Sequence, residues 1–205
     1  MWEFNEEVAN RFDQEAKTNI PDYERVIDLC LNIAKIKGFS FDINVVDVGS
    51  ATGHTVDKFI QAGYQYTWGV ESSQFMIDKS LHKQNIILSN KFPTIPCEMV
   101  MANWTLHFVK QRREYIKSIY DNMTGGVFVL TDKTTQTKEI KELYYQFKVF
   151  NGVSKEYIIK KEEQLKGYMA LASVDWYLNT LKEVGFKNIQ IINASLGFVT
   201  FYAEK

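Results

Sequence analysis

Two carboxylates and a glycine turn are the first residues whose types and spacing could do chemistry. Asp47 and Gly49 belong to Val45-Val46-Asp47-Val48-Gly49-Ser50-Ala51-Thr52-Gly53, a β-branched run that stops at glycine. Glu71 ends the next such run, Tyr66-Thr67-Trp68-Gly69-Val70-Glu71, 22 residues after Gly49. A strand that ends in a glycine turn and enters a helix brings backbone amides up to a nucleotide-like ligand. A carboxylate at the tip of the following strand then stands where it accepts both hydroxyls of a ribose. The pair predicts an adenosine-bearing ligand.

The loop chooses between cofactors. Dinucleotide sites use G-x-G-x-x-G to press backbone amides against a pyrophosphate. Here Asp47, Gly49 and Gly53 form D-x-G-x-x-x-G, with no glycine at the middle position. S-adenosylmethionine has no phosphate, only an amino-acid tail and a sulfonium, and this turn meets that smaller demand. Ser89-Asn90, after a third short run, would meet the adenine edge. The competing reading is an ordinary glycine turn in an unrelated Rossmann-like domain.

Transfer from a sulfonium needs little more than positioning, because the cofactor supplies the activated group. Where the acceptor must lose a proton, His107 is the candidate base, since it follows Asn103 beyond the fourth strand. The plainer alternative is a histidine with a local hydrogen bond at a helix start. Trp104 could face the sulfonium through its ring, or simply pack. Tyr144, Tyr145, Phe147 and Phe150 could cap an apolar substrate or fill a core, and Asp132-Lys133 follows the fifth strand, where a solvated loop pair is the plainer reading. His54 and His82 read as surface residues. No spacing of His, Cys or carboxylates has metal-ligand form.

The elements that must position these groups follow from periodicity. Phe4, Val8 and Phe12 give one helical face, and Tyr23, Val26, Ile27, Cys30 and Ala34 another, with Pro21 in its first turn and Gly38 as its stop. Strand-like runs at Asn44–Gly49, Tyr66–Glu71, Ile86–Leu88, Glu98–Ala102 and Val127–Leu130 alternate with helical stretches near Val56–Gly63, Phe75–His82 and Tyr115–Met123. Ser173 caps a further helix that stops at Gly185, and Ile189–Ile192 with Phe198–Tyr202 makes an antiparallel hairpin. The expectation is an α/β, Rossmann-like seven-stranded sheet with a terminal antiparallel hairpin. One cofactor-binding domain would span 1–205, with N-terminal helices over 1–38 and a helical insertion over 134–167.

Composition bounds the partners. With 24 basic and 25 acidic residues, a net charge of −1 and a pI near 6.3, no global positive field gathers nucleic acid, although a local basic patch stays open. Cys30 and Cys97 lie in apolar stretches and read as reduced core thiols. The acidic start Met1-Trp2-Glu3-Phe4-Asn5-Glu6-Glu7 lacks the form of a secretory signal, and no apolar run has membrane-spanning length. A soluble, cytoplasmic protein with no membrane partner is expected.

Beyond these readings, the chain resembles class I S-adenosylmethionine-dependent methyltransferases, and more closely the carboxy-S-adenosylmethionine synthases of tRNA wobble-uridine modification. The likeness runs from Phe4 to Phe201. It includes Phe4-Asn5-Glu6-Glu7-Val8-Ala9, Ile20-Pro21-Asp22-Tyr23, Asn103-Trp104-Thr105-Leu106-His107-Phe108, Gly125-Gly126, Phe147-Lys148 with Asn151-Gly152, and Ser173-Val174. The resemblance implies that Tyr23 closes over the cofactor and that Gly49, Ser50 and Ala51 line its methionine moiety. It also implies Glu71 and Ser72 on the ribose, Asn90 and Lys91 beside the adenine, and Asn103 near the amino-acid or sulfonium region. Two positions depart from the family. Asn90 replaces a usual aspartate, and Glu162 falls where the family has the arginine for the extra carboxylate. Lys160, Lys161 or Lys166 could compensate after a register shift. A glutamate repels a carboxylated sulfonium, which favours plain methyl transfer to a small molecule or an exposed nucleotide. The alternatives are a carboxy-S-adenosylmethionine synthase using prephenate, and a catalytically silent cofactor-binding partner subunit. The resemblance further implies a homodimer and a link to the tRNA pathway.

Overall fold

The computed structural model describes residues 4–205, so the Met1-Trp2-Glu3 part of the acidic start lies outside the described residues. The chain runs α1 (Glu6–Asn19), α2 (Tyr23–Ile36), β1 (Val45–Val48), α3 (His54–Gln61), β2 (Thr67–Glu71), α4 (Gln74–Ile77), β3 (Ile86–Leu88) and β4 (Cys97–Asn103). It continues with α5 (Arg112–Asn122), β5 (Met123–Lys133), α6 (Lys138–Phe150), α7 (Lys155–Leu165), α8 (Val174–Val184), β6 (Lys187–Ser195) and β7 (Phe198–Glu204). The seven strands pair in the order β3-β2-β1-β4-β5-β7-β6. The first five are parallel, and β7 runs antiparallel between β5 and β6.

Alternation along the strands buries both faces. Val46, Val48, Val100, Ala102, Phe128 and Leu130 pack with Ile116 and Ile119 of α5 and with Tyr177 and Leu181 of α8. On the other face Val45, Met99, Met101, Val127 and Val129 meet Cys30 and Ala34 of α2 and Phe59 of α3. Both cysteines are buried free thiols, and burial pushes each up to about 12. The chain moves outward from β1 in one direction to β2 and β3, then returns to place β4 and β5 on the other side. The strand order therefore reverses between β1 and β4, and a crevice opens beyond their carboxyl ends.

Four local expectations are corrected. Pro21 lies outside the helix it was expected to start, because Asp22 is the N-cap of α2 with a left-handed backbone, φ 58°. The helix expected over Phe75–His82 is only α4. Ser80 bends back through an Ile77 carbonyl and accepts the His82 N–H at 3.2 Å, a local bond that competes with helix continuation. The strand expected at Val127–Leu130 starts at Met123, directly after α5. There Gly126, at φ +91°, passes so close to β4 that a Cβ would lie 2.0 Å from the Glu98 carbonyl oxygen. His54 and His82 are half-buried rather than surface groups. His54 pairs with Glu24 at 3.0 Å, and His82 lies 3.8 Å from Asp57. Among the described residues, no helix is long and apolar enough to cross a membrane.

Candidate functional site

The crevice is a cavity of about 1240 Å³, lined by the tips of β1, β2 and β4, by α1, and by α6 and α7. Single-ligand pockets hold about 300–1,000 Å³, so this one has room for two molecules.

Its strand-tip half is built from backbone. Gly49 turns at φ +68°, and a Cβ there would sit 2.0 Å from Thr105 Oγ1. That hydroxyl donates toward the Val48 carbonyl at 3.1 Å and the Asn103 carbonyl at 3.0 Å, so it holds the β1 and β4 tips together. Glu71 is buried at the tip of β2. Its Oε2 accepts the Ala51 N–H at 2.9 Å, and its Oε1 accepts those of Ser72 at 2.7 Å and Ser73 at 2.8 Å. The carboxylate is thus fixed at the mouth of the glycine turn with acceptor capacity left over. Asp47, one turn inward, is fully enclosed. Burial, with the nearby Glu71 charge adding to it, pushes its carboxyl up to about 8 against a hydrogen bond from Thr55.

Three buried polar atoms on this cavity have no partner: Ser50 Oγ, Asn103 Oδ1 and Trp104 Nε1. Unpaired buried polar groups are costly, and in a cavity they mark where ligand atoms complete the bonding. Trp104 is also strained, with φ 58° in the left-handed region that a bulky side chain rarely adopts. Its backbone N–H donates to the Thr131 carbonyl at 2.6 Å, and its ring lies 4.7 Å from that of Tyr23.

Behind the β4 and β5 tips runs a buried chain of polar groups. His107 Nδ1 bonds Asp132 Oδ1, and the other Asp132 oxygen accepts the Tyr177 hydroxyl. That hydroxyl in turn accepts from Arg112 Nη1 at 2.8 Å. Arg112 is buried, donates to the Leu106 carbonyl at 2.7 Å and to the Ala170 carbonyl, and stacks near Trp176 and Tyr177. With Nδ1 committed to Asp132, Nε2 is the ring nitrogen His107 keeps for the cavity it lines.

The insertion half is lined by side chains of α6 and α7. Tyr144 is buried and donates its hydroxyl to the Asn19 carbonyl at 2.9 Å, which ties α6 to α1. Lys133 Nζ lies 4.6 Å from the Tyr144 ring centroid and Lys148 Nζ 4.3 Å. Glu162 is bonded by Lys141 and by the Tyr145 hydroxyl. Lys161 pairs with Glu15 at 3.1 Å, and Glu15 also accepts the Tyr157 hydroxyl at 2.6 Å.

Tyr23, Asp47, Gly49, Ser50, Ala51, Glu71, Ser72, Asn90, Lys91, Asn103, Trp104 and His107 all line this one cavity. Gly53 does not. It is the N-cap of α3 at φ +83°, and a Cβ there would strike Ser80 Oγ at 2.3 Å, so it shapes the turn from behind. Of the insertion aromatics, Tyr144 and Tyr145 line the cavity, whereas Phe147 is off it and Phe150 is 90% exposed. Sequence reasoning missed Thr105, Arg112 and Tyr177. The only signal was an arginine followed by helical periodicity, which reads as a solvated helix start.

No family model matches the chain. The sheet order, the antiparallel seventh strand and the acidic tip of β2 define the class: the chain has the class I S-adenosylmethionine-dependent methyltransferase fold. Magnesium protoporphyrin IX methyltransferase from Synechocystis, solved with bound S-adenosylhomocysteine, superposes with a TM-score of 0.71 at 13% identity, covering 98% of this chain and 94% of that one. A methyltransferase from Thermotoga maritima superposes with a TM-score of 0.65 at 15% identity, covering 100% of both chains. Within that class the chain is similar, over its whole length, to carboxy-S-adenosyl-L-methionine synthases. The Helicobacter hepaticus enzyme is 29% identical over 227 aligned positions, covering 100% of this chain and 95% of the relative.

Proposed function

We propose that the strand-tip half of the cavity binds S-adenosylmethionine and that the chain transfers its methyl group to a small molecule or exposed nucleotide held in the insertion half. The observation that carries this reading is the set of orphaned atoms beside a fixed carboxylate. Asn103 Oδ1 can accept from an ammonium, and Ser50 Oγ and Trp104 Nε1 can donate to a carboxylate. Glu71 offers remaining lone pairs to a ribose, with Ser72 beside it, while Asn90 and Lys91 border the adenine. These donors and acceptors fit an amino-acid tail and a nucleoside, and the D-x-G-x-x-x-G turn makes no provision for a diphosphate. When bound, the cofactor supplies a methyl group on a sulfonium. Tyr23 and Trp104 exclude water from that end of the cavity, and the Trp104 ring faces positive charge. His107, oriented by Asp132, accepts at Nε2 the proton of an acceptor that must lose one.

Calorimetry with S-adenosylmethionine, S-adenosylhomocysteine and NAD tests the reading. Binding of the first two but not NAD supports it, and Glu71→Ala is expected to weaken S-adenosylhomocysteine about 10- to 100-fold, the worth of lost hydrogen bonds to a charged group. Tight NAD binding, or no effect of Glu71→Ala, overturns it.

Full-length similarity to carboxy-S-adenosyl-L-methionine synthases favours a second reading, in which prephenate provides a carboxyl group to the cofactor. Glu162 stands against it, since its carboxylate is on this side of the cavity. Mass spectrometry of the molecule carried through purification separates the two: a carboxylated adduct selects the second. The silent-subunit reading would gain from Asn103, Trp104 and His107 being walled off, but all three line the cavity; detection of turnover to S-adenosylhomocysteine overturns it.

A further inference from the structure

The insertion half of the cavity sets four lysines against two carboxylates. Lys141 is held by Glu162, and Lys161 by Glu15. Lys133, at the end of β5, and Lys148, in the last turn of α6, are half-buried on the cavity wall. Among the described residues neither has a carboxylate within ion-pair distance, and no hydrogen-bond acceptor reaches either Nζ. Both rest on the Tyr144 ring, and Lys133 Nζ also lies 5.9 Å from the Phe198 ring centroid. Two desolvated cations sharing one ring are poorly compensated, because each also repels the other. Burial pulls both down to about 8, and for Lys148 the charges of Lys133 and Lys161 pull further. A neutral amine is therefore populated on this wall near physiological pH, which an exposed lysine does not offer.

We propose that Lys133 is a carbamylation site: its neutral Nζ takes up carbon dioxide, and the carbamate formed pairs with the Lys148 ammonium. The nitrogen lone pair makes an N–C bond to the carbon of CO2, one C=O π pair moves onto oxygen, and the nitrogen gives up a proton to the buffer. An amine and CO2 go in, and a carbamate and a proton come out. The step turns one cation into an anion, so the excess positive charge of the chamber is cancelled and Lys148 gains a counter-ion. Carbon dioxide is small and apolar, and the wall formed by Tyr144, Phe198, Leu165 and Met169 admits it while keeping the nitrogen desolvated. The division of roles follows from the elements. Lys148 sits at the carboxyl end of α6, where the helix dipole favours a cation over an anion. Lys133 ends a β-strand, which imposes little field of its own. Glu162 faces Lys133, but Lys141 and the Tyr145 hydroxyl engage its carboxylate, as Lys161 and the Tyr157 hydroxyl engage Glu15. The charge of the insertion half is then set by dissolved CO2 and by pH, whichever group the strand-tip half transfers.

The wild-type protein is equilibrated near pH 8 with isotopically labelled carbon dioxide and read by carbon NMR for a carbamate resonance apart from bicarbonate. Alkylation with triethyloxonium then fixes the labile group, and peptide mapping by mass spectrometry locates it. The adduct is expected on Lys133. At that pH an amine titrating near 8 is neutral more than about 100-fold more often than one at the ordinary lysine value, so exposed lysines such as Lys35 and Lys187 are expected to stay unmodified. Occupancy at fixed CO2 pressure is expected to rise from about pH 7 to 8.5, because only the neutral amine reacts. Lys133→Met is expected to abolish the adduct, and Lys148→Met to demand about tenfold more CO2 for the same occupancy. Lys35→Met is expected to leave it unchanged. Absence of a carbamate on wild-type Lys133 even under pure carbon dioxide at fixed pH overturns the proposal. So does an adduct spread equally over exposed lysines, one confined to the α-amino group, one on Lys148 in place of Lys133, or full occupancy retained in Lys148→Met. None of these measurements uses the cofactor, so failure of S-adenosylhomocysteine to bind would sink the functional reading and leave this test intact.

Discussion

The two halves of the cavity are made by different physics. At the strand tips, polar groups are held by backbone: Glu71 by three amides, Gly49 by its left-handed turn, Thr105 by two carbonyls. On the insertion side, charges are held by other side chains or by ring faces, and two of the four lysines lack an anion. A site built on backbone is stiff and serves one ligand. A site built on long side chains can be retuned by a few substitutions, and the proposed function puts acceptor choice there.

The most damaging way to break the stiff half is Gly49→Ala. The new methyl would sit 2.0 Å from Thr105 Oγ1, and φ +68° is costly for any residue with a Cβ. Thr105 cannot swing away without releasing the β1 and β4 carbonyls. The expected outcome is loss of stability by about 3 kcal/mol and of S-adenosylhomocysteine affinity by more than about 100-fold, read by denaturant unfolding and calorimetry. An equally large change confined to Lys133→Met or Lys148→Met, with Gly49→Ala neutral, would reverse the assignment of the stiff and tunable halves.

That contrast also marks what was legible in the sequence. The Asp47-to-Gly53 turn and Glu71 were readable because local backbone demands specify them: glycine where φ is positive, and a carboxylate a fixed distance along the alternating pattern. The terminal hairpin and the caps at Ser173 and Gly185 were readable for the same reason. The His107, Asp132, Tyr177 and Arg112 chain was not, because its members come from four separate segments that only the packing of α5 and α8 brings together. The pairing of Lys133 with Lys148 depends likewise on how α6 docks on β5. The short α4 escaped because a single serine hydroxyl decided it.

The buried chain sharpens the comparison at an intermediate level. Asp132→Ala leaves Arg112 without its relayed counter-charge and is expected to cost about 3–5 kcal/mol, as for other broken buried pairs. Asp132→Asn keeps the shape but presents an N–H to His107 Nδ1, which moves the imidazole proton to Nε2. Nitrogen NMR of labelled histidine reads the tautomer directly. Unchanged proton placement in Asp132→Asn would remove His107 from the role of base.

Proton linkage separates the halves by pH. Asp47 titrates near 8 in the folded protein, far above its ordinary value of 3.8, so between those limits the native state holds a proton that the unfolded chain releases. Its contribution therefore falls as pH rises from about 4 to 8. Lys133 and Lys148 also titrate near 8, below the ordinary 10.5, so between those limits the unfolded chain holds the extra protons. Their contribution rises from about pH 8 to 10.5. Asp47→Asn should remove the decline in stability between about pH 4 and 8, and the Lys133→Met, Lys148→Met double variant the rise between about pH 8 and 10.5. Exchanged effects would show that the two desolvated groups are not where the geometry puts them.

The smallest effect comes from Glu162, and it tests how the insertion half is tuned. Its side chain and that of Lys141 are 45% and 46% exposed, so the pair contributes little to folding. Glu162→Gln should change stability by less than about 0.5 kcal/mol. The same substitution removes a negative charge facing Lys133 and Lys148 and releases Lys141, so affinity for prephenate, the acid of the second reading, should rise about two- to fivefold while that for S-adenosylhomocysteine stays fixed. Glu162→Arg should raise it further and permit a carboxylated cofactor, because a guanidinium there supplies the fork that the wild-type chamber lacks. If instead Glu162→Gln weakens the acid, Glu162 would be organising the lysines rather than opposing the anion, and the insertion half would be as preorganised as the strand tips.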